Sequence, residues 1–269
     1  MAIKKVRPRR AWTPPKPKPP VYRGPKLLPA PPRGKRGRAV AAAATPSFNP
    51  LTGWTTDPVH GVWASDPLWT PPADGGAVSS WRNGGSVGGN LVQATGSARP
   101  VYDAVNPLYN GAATVYFNAD DAVGVDIADL PHPVWFVVVG ACAVDGASRR
   151  IVGGVPGMGI TTGGAWVVQS NLAVTAGTAT ADPHLWIGKI NGASSSLTID
   201  GAVVASGNTG TSALTFLSVG SYNNGSGTYS NFSVGDVALA LVFTTDPTTQ
   251  PEWSAFSTWV EDTYGVPLP

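Results

Sequence analysis

The chain is 269 residues long, 42% hydrophobic and 13% charged, which is enough apolar content for one large all-β domain or two smaller ones. Its formal charge of +2 hides a bipolar molecule: residues 1–50 hold 13 of the 18 Lys and Arg and none of the 16 Asp and Glu. A single cysteine, Cys142, excludes an intrachain disulfide framework and any multi-cysteine metal site.

Residues 1–50 also carry 12 prolines, in tracts such as PPKPKPP and PAPPRGKRGR. Such a segment buries too little apolar surface to fold alone, and its prolines hold it extended, so it is expected to act as an arm. Three readings compete: a solvated linker, a basic arm that neutralises phosphates, and a strap that orders against neighbouring subunits. Trp12, Tyr22, Leu27 and Leu28 are spaced like anchors for protein grooves, which favours the strap and makes nucleic acid the least favoured partner. The longest apolar run, 134–144, is too short to span a bilayer, and no hydrophobic segment of signal-peptide type follows the basic residues. A soluble chain made in a cytoplasm, without a classical export signal, is expected.

Residues 51–80, with Trp54, Trp63 and Trp69, read as a lead-in coil or edge strand of a domain covering 51–269. VWFVVV (134–139) and VALALVF (237–243) are continuous apolar runs, the pattern of central strands covered on both faces. Short strands at 149–152, 157–160 and 166–168, separated by Gly, Asp and Ser clusters, point to a sandwich. The stretch HLWIGKINGASSSLTIDGAVVASGN (184–208) alternates with period 2 around Asn191-Gly192 and Asp200-Gly201. Asp-Gly supplies the positive φ angles of a two-residue hairpin turn, so a three-stranded meander is predicted. After a polar loop bearing Tyr222, Tyr229 and Phe232, a helix is predicted with Asp246 or Thr248 as its cap. Trp253, Phe256, Trp259 and Val260 form its apolar stripe, and Gly265 with Pro267 stops it.

Between the lead-in and the first apolar run, Trp81, Asn83, Gly84, Asn90, Leu91, Gln93, Arg99, Pro100, Tyr102, Asn110, Gly111, Val115, Phe117, Asp120 and Asp121 recur in a familiar order. Together with the Leu-Thr-Ile-Asp-Gly hairpin and the closing "Gly-Asp, apolar run, helix, Tyr-Gly-Val", this pattern resembles the concanavalin A-like, or laminin G-like, jelly-roll superfamily over about residues 81–269. The resemblance implies an all-β sandwich of two antiparallel sheets with a short C-terminal helix. With the basic arm in front, the chain resembles virion components of tailed bacteriophages, and its Ala, Gly, Pro and Thr usage is compatible with a high-GC actinobacterial host. A non-enzymatic virion structural protein is the expectation, a minor tail protein at the tail tip or a fibre. Its arm would pin it to other virion proteins and its domain would face host-surface glycans, with a homo-oligomer expected within the particle. Two alternatives stand beside it: a capsid decoration or coat protein whose arm meets shell or nucleic acid, and a divergent glycan hydrolase.

The residues themselves offer little catalysis. Glycosidases on this fold use paired carboxylates in an E-x-D-x-x-E pattern. Here the domain has only Glu252 and Glu261, both in the terminal helix, so no enzyme is expected. His60, His132 and His184 form no HExxH, no serine sits in G-x-S-x-G, and Cys142 lies in an apolar run as a buried thiol. Asp120 and Asp121, near Asp126 and Asp129, are calcium candidates, but solvated loop acids are the favoured reading and no cofactor is expected. For glycans the candidates are Trp166, Tyr222, Asn223, Asn224 and Tyr229, aromatics to stack on sugar faces and amides to meet hydroxyls.

Overall fold

The computed structural model describes residues 48–223 and 228–268. The arm anchors Trp12, Tyr22, Leu27 and Leu28 lie outside the described residues. In chain order the strands are β1 (His60–Trp63), β2 (Ser80–Trp81), β3 (Leu91–Val92), β4 (Val101–Asp103), β5 (Thr114–Phe117) and β6 (Val123–Leu130). They continue as β7 (Val134–Gly140), β8 (Arg149–Gly153), β9 (Gly157–Ile160), β10 (Trp166–Gln169), β11 (Ala173–Ala176) and β12 (His184–Ile190). The last six are β13 (Ser195–Ile199), β14 (Ala202–Gly207), β15 (Leu214–Val219), β16 (Tyr222–Asn223), β17 (Tyr229–Ser230) and β18 (Gly235–Phe243), before helix α1 (Trp253–Tyr264).

The strands form the two antiparallel sheets of the expected sandwich. The first runs β14-β13-β12-β7-β18-β5-β4, with β1 also paired to β18, and the second runs β11-β10-β9-β8-β15-β6-β3-β2. The hairpin β16-β17 stands apart as a two-stranded ribbon. The predicted meander is present as β12, β13 and β14, and its turn has Asp200 at φ 49° and Gly201 at φ 81°.

The two continuous apolar runs became β7 and β18 because the first sheet is covered twice. From β7, Val134, Phe136 and Val138 join the core between the sheets, while Trp135, Val137 and Val139 join a second core on the back of the sheet. That second core is closed by α1 and by the segment around Phe48 and Trp54. There Phe256 meets the Trp54 ring at 5.0 Å and Phe48 edge-on at 5.7 Å, and Trp63 Nε1 donates to the Tyr264 hydroxyl at 2.9 Å. Gly265 ends the helix at φ 69° with its N–H on the Glu261 carbonyl. The helix start differs from the expectation: Asp246 caps a separate 3-10 turn, Pro247–Thr249, by accepting from Thr248 N, and α1 begins later at Trp253.

Asn83, one of the residues that carried the family resemblance, organises the loop between β2 and β3. Its Oδ1 accepts from Gly61 N at 2.8 Å and Gly85 N at 3.1 Å, and its Nδ2 donates to the Gly88 carbonyl and faces His60 Nδ1 at 2.9 Å. His60 is 1% exposed, and burial lowers its pKa below the usual 6.5, so the folded ring stays neutral. The unfolded chain gains a proton there that the native state resists. Stability is therefore expected to fall as pH drops through about 6.5, and His60→Gln should flatten that part of the profile. Thermal melts of both proteins between pH 7.5 and pH 5, roughly spanning the histidine range, check it; parallel curves would contradict it.

Candidate functional site

On the second sheet, Leu91, Val123, Leu217 and Val219 point into the core between the sheets. Alternation therefore turns Val92, Gly124 and Ser218 to the outer face. Phe216 joins them, because the register shifts between Leu214 and Phe216, and Leu214 faces the core although it stands only two residues away. Over this face lies a groove of about 420 Å³ lined by Val92, Gln93, Ala94, Gly124, Val125, Asp126, Phe216 and Tyr229.

One wall is aromatic. Tyr229 meets Phe216 edge-on, 6.0 Å between centroids and 73° between planes, and Phe216 stands opposite Asp126 in the β15-β6 register. Gly124 forms the floor beneath both rings. A Cβ there would sit 2.6 Å from the Phe216 ring and 2.9 Å from the Tyr229 hydroxyl, so only glycine lets the pair lie down on the sheet.

The hairpin that delivers Tyr229 is pinned from several sides. Asn223 pairs with Tyr229 across β16 and β17, and its side chain also hydrogen-bonds the Tyr229 hydroxyl. The Ser218 hydroxyl bridges the carbonyl oxygens of Gly153 and Ser221, the latter at 2.8 Å, and Arg150 N donates to the Asn231 carbonyl at 2.8 Å. Gly220, at φ 82°, passes so close to Phe117 that a Cβ would lie 2.0 Å from its ring. Burial, and secondarily the charge of Asp126, push the Tyr229 phenol above its ordinary pKa, against the Asn223 hydrogen bond. At neutral pH the groove thus offers a neutral hydroxyl, which can both donate and accept, beside a carboxylate at an exposed position.

Of the glycan candidates read from the sequence, the structure brings Tyr222, Asn223 and Tyr229 together on one hairpin, and Asn224 lies outside the described residues. Tyr222 stands on β16 near Arg150, a guanidinium that is 6% exposed and donates to Gln169 Oε1 and the Arg149 carbonyl. Trp166 needs correcting. It is 5% exposed within the core between the sheets, edge-on to Trp186 at 4.6 Å and His184 at 5.1 Å, with no face free for a sugar.

The calcium candidates are not gathered into a cation site. Asp121 is buried and turns its carboxylate back on Asn118 N at 2.8 Å, its pKa raised by burial, while Asp120 stays exposed. Asp126 and Asp129 belong to strand β6 rather than to a loop. Among the described residues no three His, Cys, Asp or Glu side chains gather as a metal site. Cys142 is buried, 3.3 Å from the Ser233 hydroxyl, and burial raises its pKa, which suits an inert thiol. His184 joins Asp200 Oδ2 at 2.6 Å and the Thr180 hydroxyl at 2.7 Å, and Asp200 Oδ1 also takes Leu185 N, so the trio clasps the meander's first hairpin. Among the described residues no helix is long and apolar enough to cross a membrane.

Phe216 and Gly124 were not legible as site residues in the sequence, and Asp126 stood out there only as one of the acids clustered with the calcium candidates. The signal for Phe216 was its place within the strand-like LTFLSV, and a bulge, invisible to simple alternation, decides which way it faces.

No family model matches the chain, and no curated protein matches it. Solved structures do. The chain is similar to Trypanosoma rangeli sialidase in complex with sialic acid, with a TM-score of 0.49 and 11% identity over 75% of this chain and 32% of that one. It is also similar to the complex of the same enzyme with the inhibitor DANA, at TM-score 0.46 and 14% identity over 81% and 34% of the two chains. The complex with 2,3-difluoro-KDN gives 0.43 and 14% over 87% and 35%. The chain thus spans about a third of the length of these sialidases.

These matches correct the expectation that the chain is not an enzyme, since the structures it resembles are sialidases. Sialidases use a tyrosine nucleophile, so a missing glutamate pair does not exclude glycan hydrolysis. At these identities the likeness transfers no activity or substrate to this chain.

Proposed function

We propose that the chain is a glycan-binding component of a tailed-bacteriophage virion, held to neighbouring subunits by residues 1–50 and presenting the groove beside Tyr229 to saccharides. The observation that carries the glycan half is the groove itself. The half-buried Tyr229 ring, backed edge-on by the buried Phe216, stands next to the exposed Asp126 carboxylate on the outer sheet face, which supplies an apolar surface for the faces of sugar rings and an acceptor for their hydroxyls. The assembly half is supported by composition: 13 Lys and Arg with 12 prolines and no acid in 50 residues exceed what a spacer needs. A tail-tip or fibre position fits both halves, because a binding face must point outward while the arm points into the particle.

One set of preparations tests both. The full-length chain is expected to be retained by purified host cell-wall polysaccharide and displaced by free polysaccharide. Trypsin is expected to cut after the Lys and Arg of residues 1–50 more slowly in the assembled particle than in the free chain. Passage through the polysaccharide column without delay would remove the glycan half. Equal cleavage rates would remove the assembly half.

A further inference from the structure

A second cavity, of about 580 Å³, opens at the β2 edge of the second sheet, and Trp69, Ser80, Arg82 and Asn90 are among its lining residues. It shares its face with the Tyr229 groove. Trp81 and Leu91 are wholly buried in the core between the sheets, so alternation turns Ser80, Arg82, Asn90 and Val92 outward. The registers Ser80 to Val92, Val92 to Gly124 and Gly124 to Ser218 then form one row of outward positions running from the edge cavity to the floor of the aromatic pair. Val92, 51% exposed, is the middle position of this row, paired with Ser80 on one side and Gly124 on the other, and lines the Tyr229 groove. The row crosses three inter-strand spacings, about 14 Å, more than a single sugar ring covers.

The chemistry is matched along that row. At the edge, Trp69 is fixed by its Nε1 donating to the Ser80 carbonyl at 3.1 Å and by its ring packing against Trp81 at 5.9 Å and Tyr102 at 5.6 Å. Arg82 is paired with the buried Asp66, which neutralises it, and the Asn90 side chain is exposed. At the other end, Asp126 makes no ion pair among the described residues. Aromatic walls thus close both ends, amide and hydroxyl groups lie between them, and the one unpaired charge lining either cavity is a carboxylate that accepts from hydroxyls and repels anions.

We infer that the two cavities are subsites of one track that binds a linear, neutral oligosaccharide lying across β2, β3, β6 and β15, rather than a single or an acidic sugar. This rests on the glycan reading of the Tyr229 groove. The test measures affinities of the full-length chain for N-acetylglucosamine, galactose and arabinose oligomers of one to six units, with 3′-sialyllactose as the acidic probe. In the series that binds, affinity should rise at least about tenfold between one and four units and then level off. Asn90→Ala, at an exposed position that lines only the edge cavity, should remove that gain and leave monomer affinity unchanged, while Tyr229→Ala should lower affinity at every length. Affinity that is flat with length, or a gain untouched by Asn90→Ala, overturns the track and leaves the groove standing. Sialyllactose bound as tightly as the neutral oligomers overturns the charge selectivity. If no series binds, the groove reading and the track fail together.

Discussion

Trp186→Ala is expected to cost about 3–5 kcal/mol of stability, the range for removing a large aromatic from a packed core. Trp186 is wholly buried in β12, at the centre of the stretch where strand period and turn chemistry coincide. It packs edge-on against Trp166 at 4.6 Å, and its Nε1 donates to the Gly140 carbonyl at 3.0 Å, tying β12 to the end of β7. The alanine variant loses the packing and leaves that carbonyl without its indole donor. For a domain of this size the melting temperature should fall by roughly 2–4 °C for each kcal/mol, a total of about 6–20 °C. Trp186→Phe keeps most of the volume and should lose clearly less. Urea denaturation of the three proteins decides it, and a loss below about 1 kcal/mol for the alanine variant would mean that the indole is not the keystone of this core.

Gly124→Val is expected to abolish saccharide retention by the groove while the fold survives. The new side chain would meet the ends of the Phe216 and Tyr229 rings, 2.6 Å and 2.9 Å from the position of its Cβ, and not the backbone. Tyr229 is half-buried and can swing toward solvent, and valine suits a strand. Affinity should drop at least about tenfold, equivalent to about 1.4 kcal/mol, with a shift of only a few degrees in melting temperature by the same size scaling as above. Isothermal titration with the retained polysaccharide, paired with thermal melts, separates the two effects. Unchanged affinity would show that the aromatic pair does not form the binding wall. A collapse of stability would show that the rings cannot move, and Gly124→Ala would then be the variant to measure.

Much of the scaffold could be read from local chemistry. Asp200-Gly201 needs positive φ at both positions, so the hairpin there follows from residue type alone. The runs in β7 and β18 could only be strands buried on both faces, and the stripe of Trp253, Phe256, Trp259 and Val260 could only be a helix laid on a core. These features depend on neighbours in sequence, which is why periodicity reveals them. Tertiary structure decided the rest. Trp166 and Tyr229 are both aromatics near Gly-rich turns, yet one is sealed between the sheets and the other stands over Phe216, because burial depends on which strand lies opposite. Asp120 and Asp126, six positions apart, part company because one precedes β6 and the other sits within it facing Phe216. The groove itself is made by a register shift in β15 and a bare glycine in β6, two positions 92 residues apart if counted from Gly124 to Phe216. No local pattern encodes such a pairing, since it exists only once the strands are side by side.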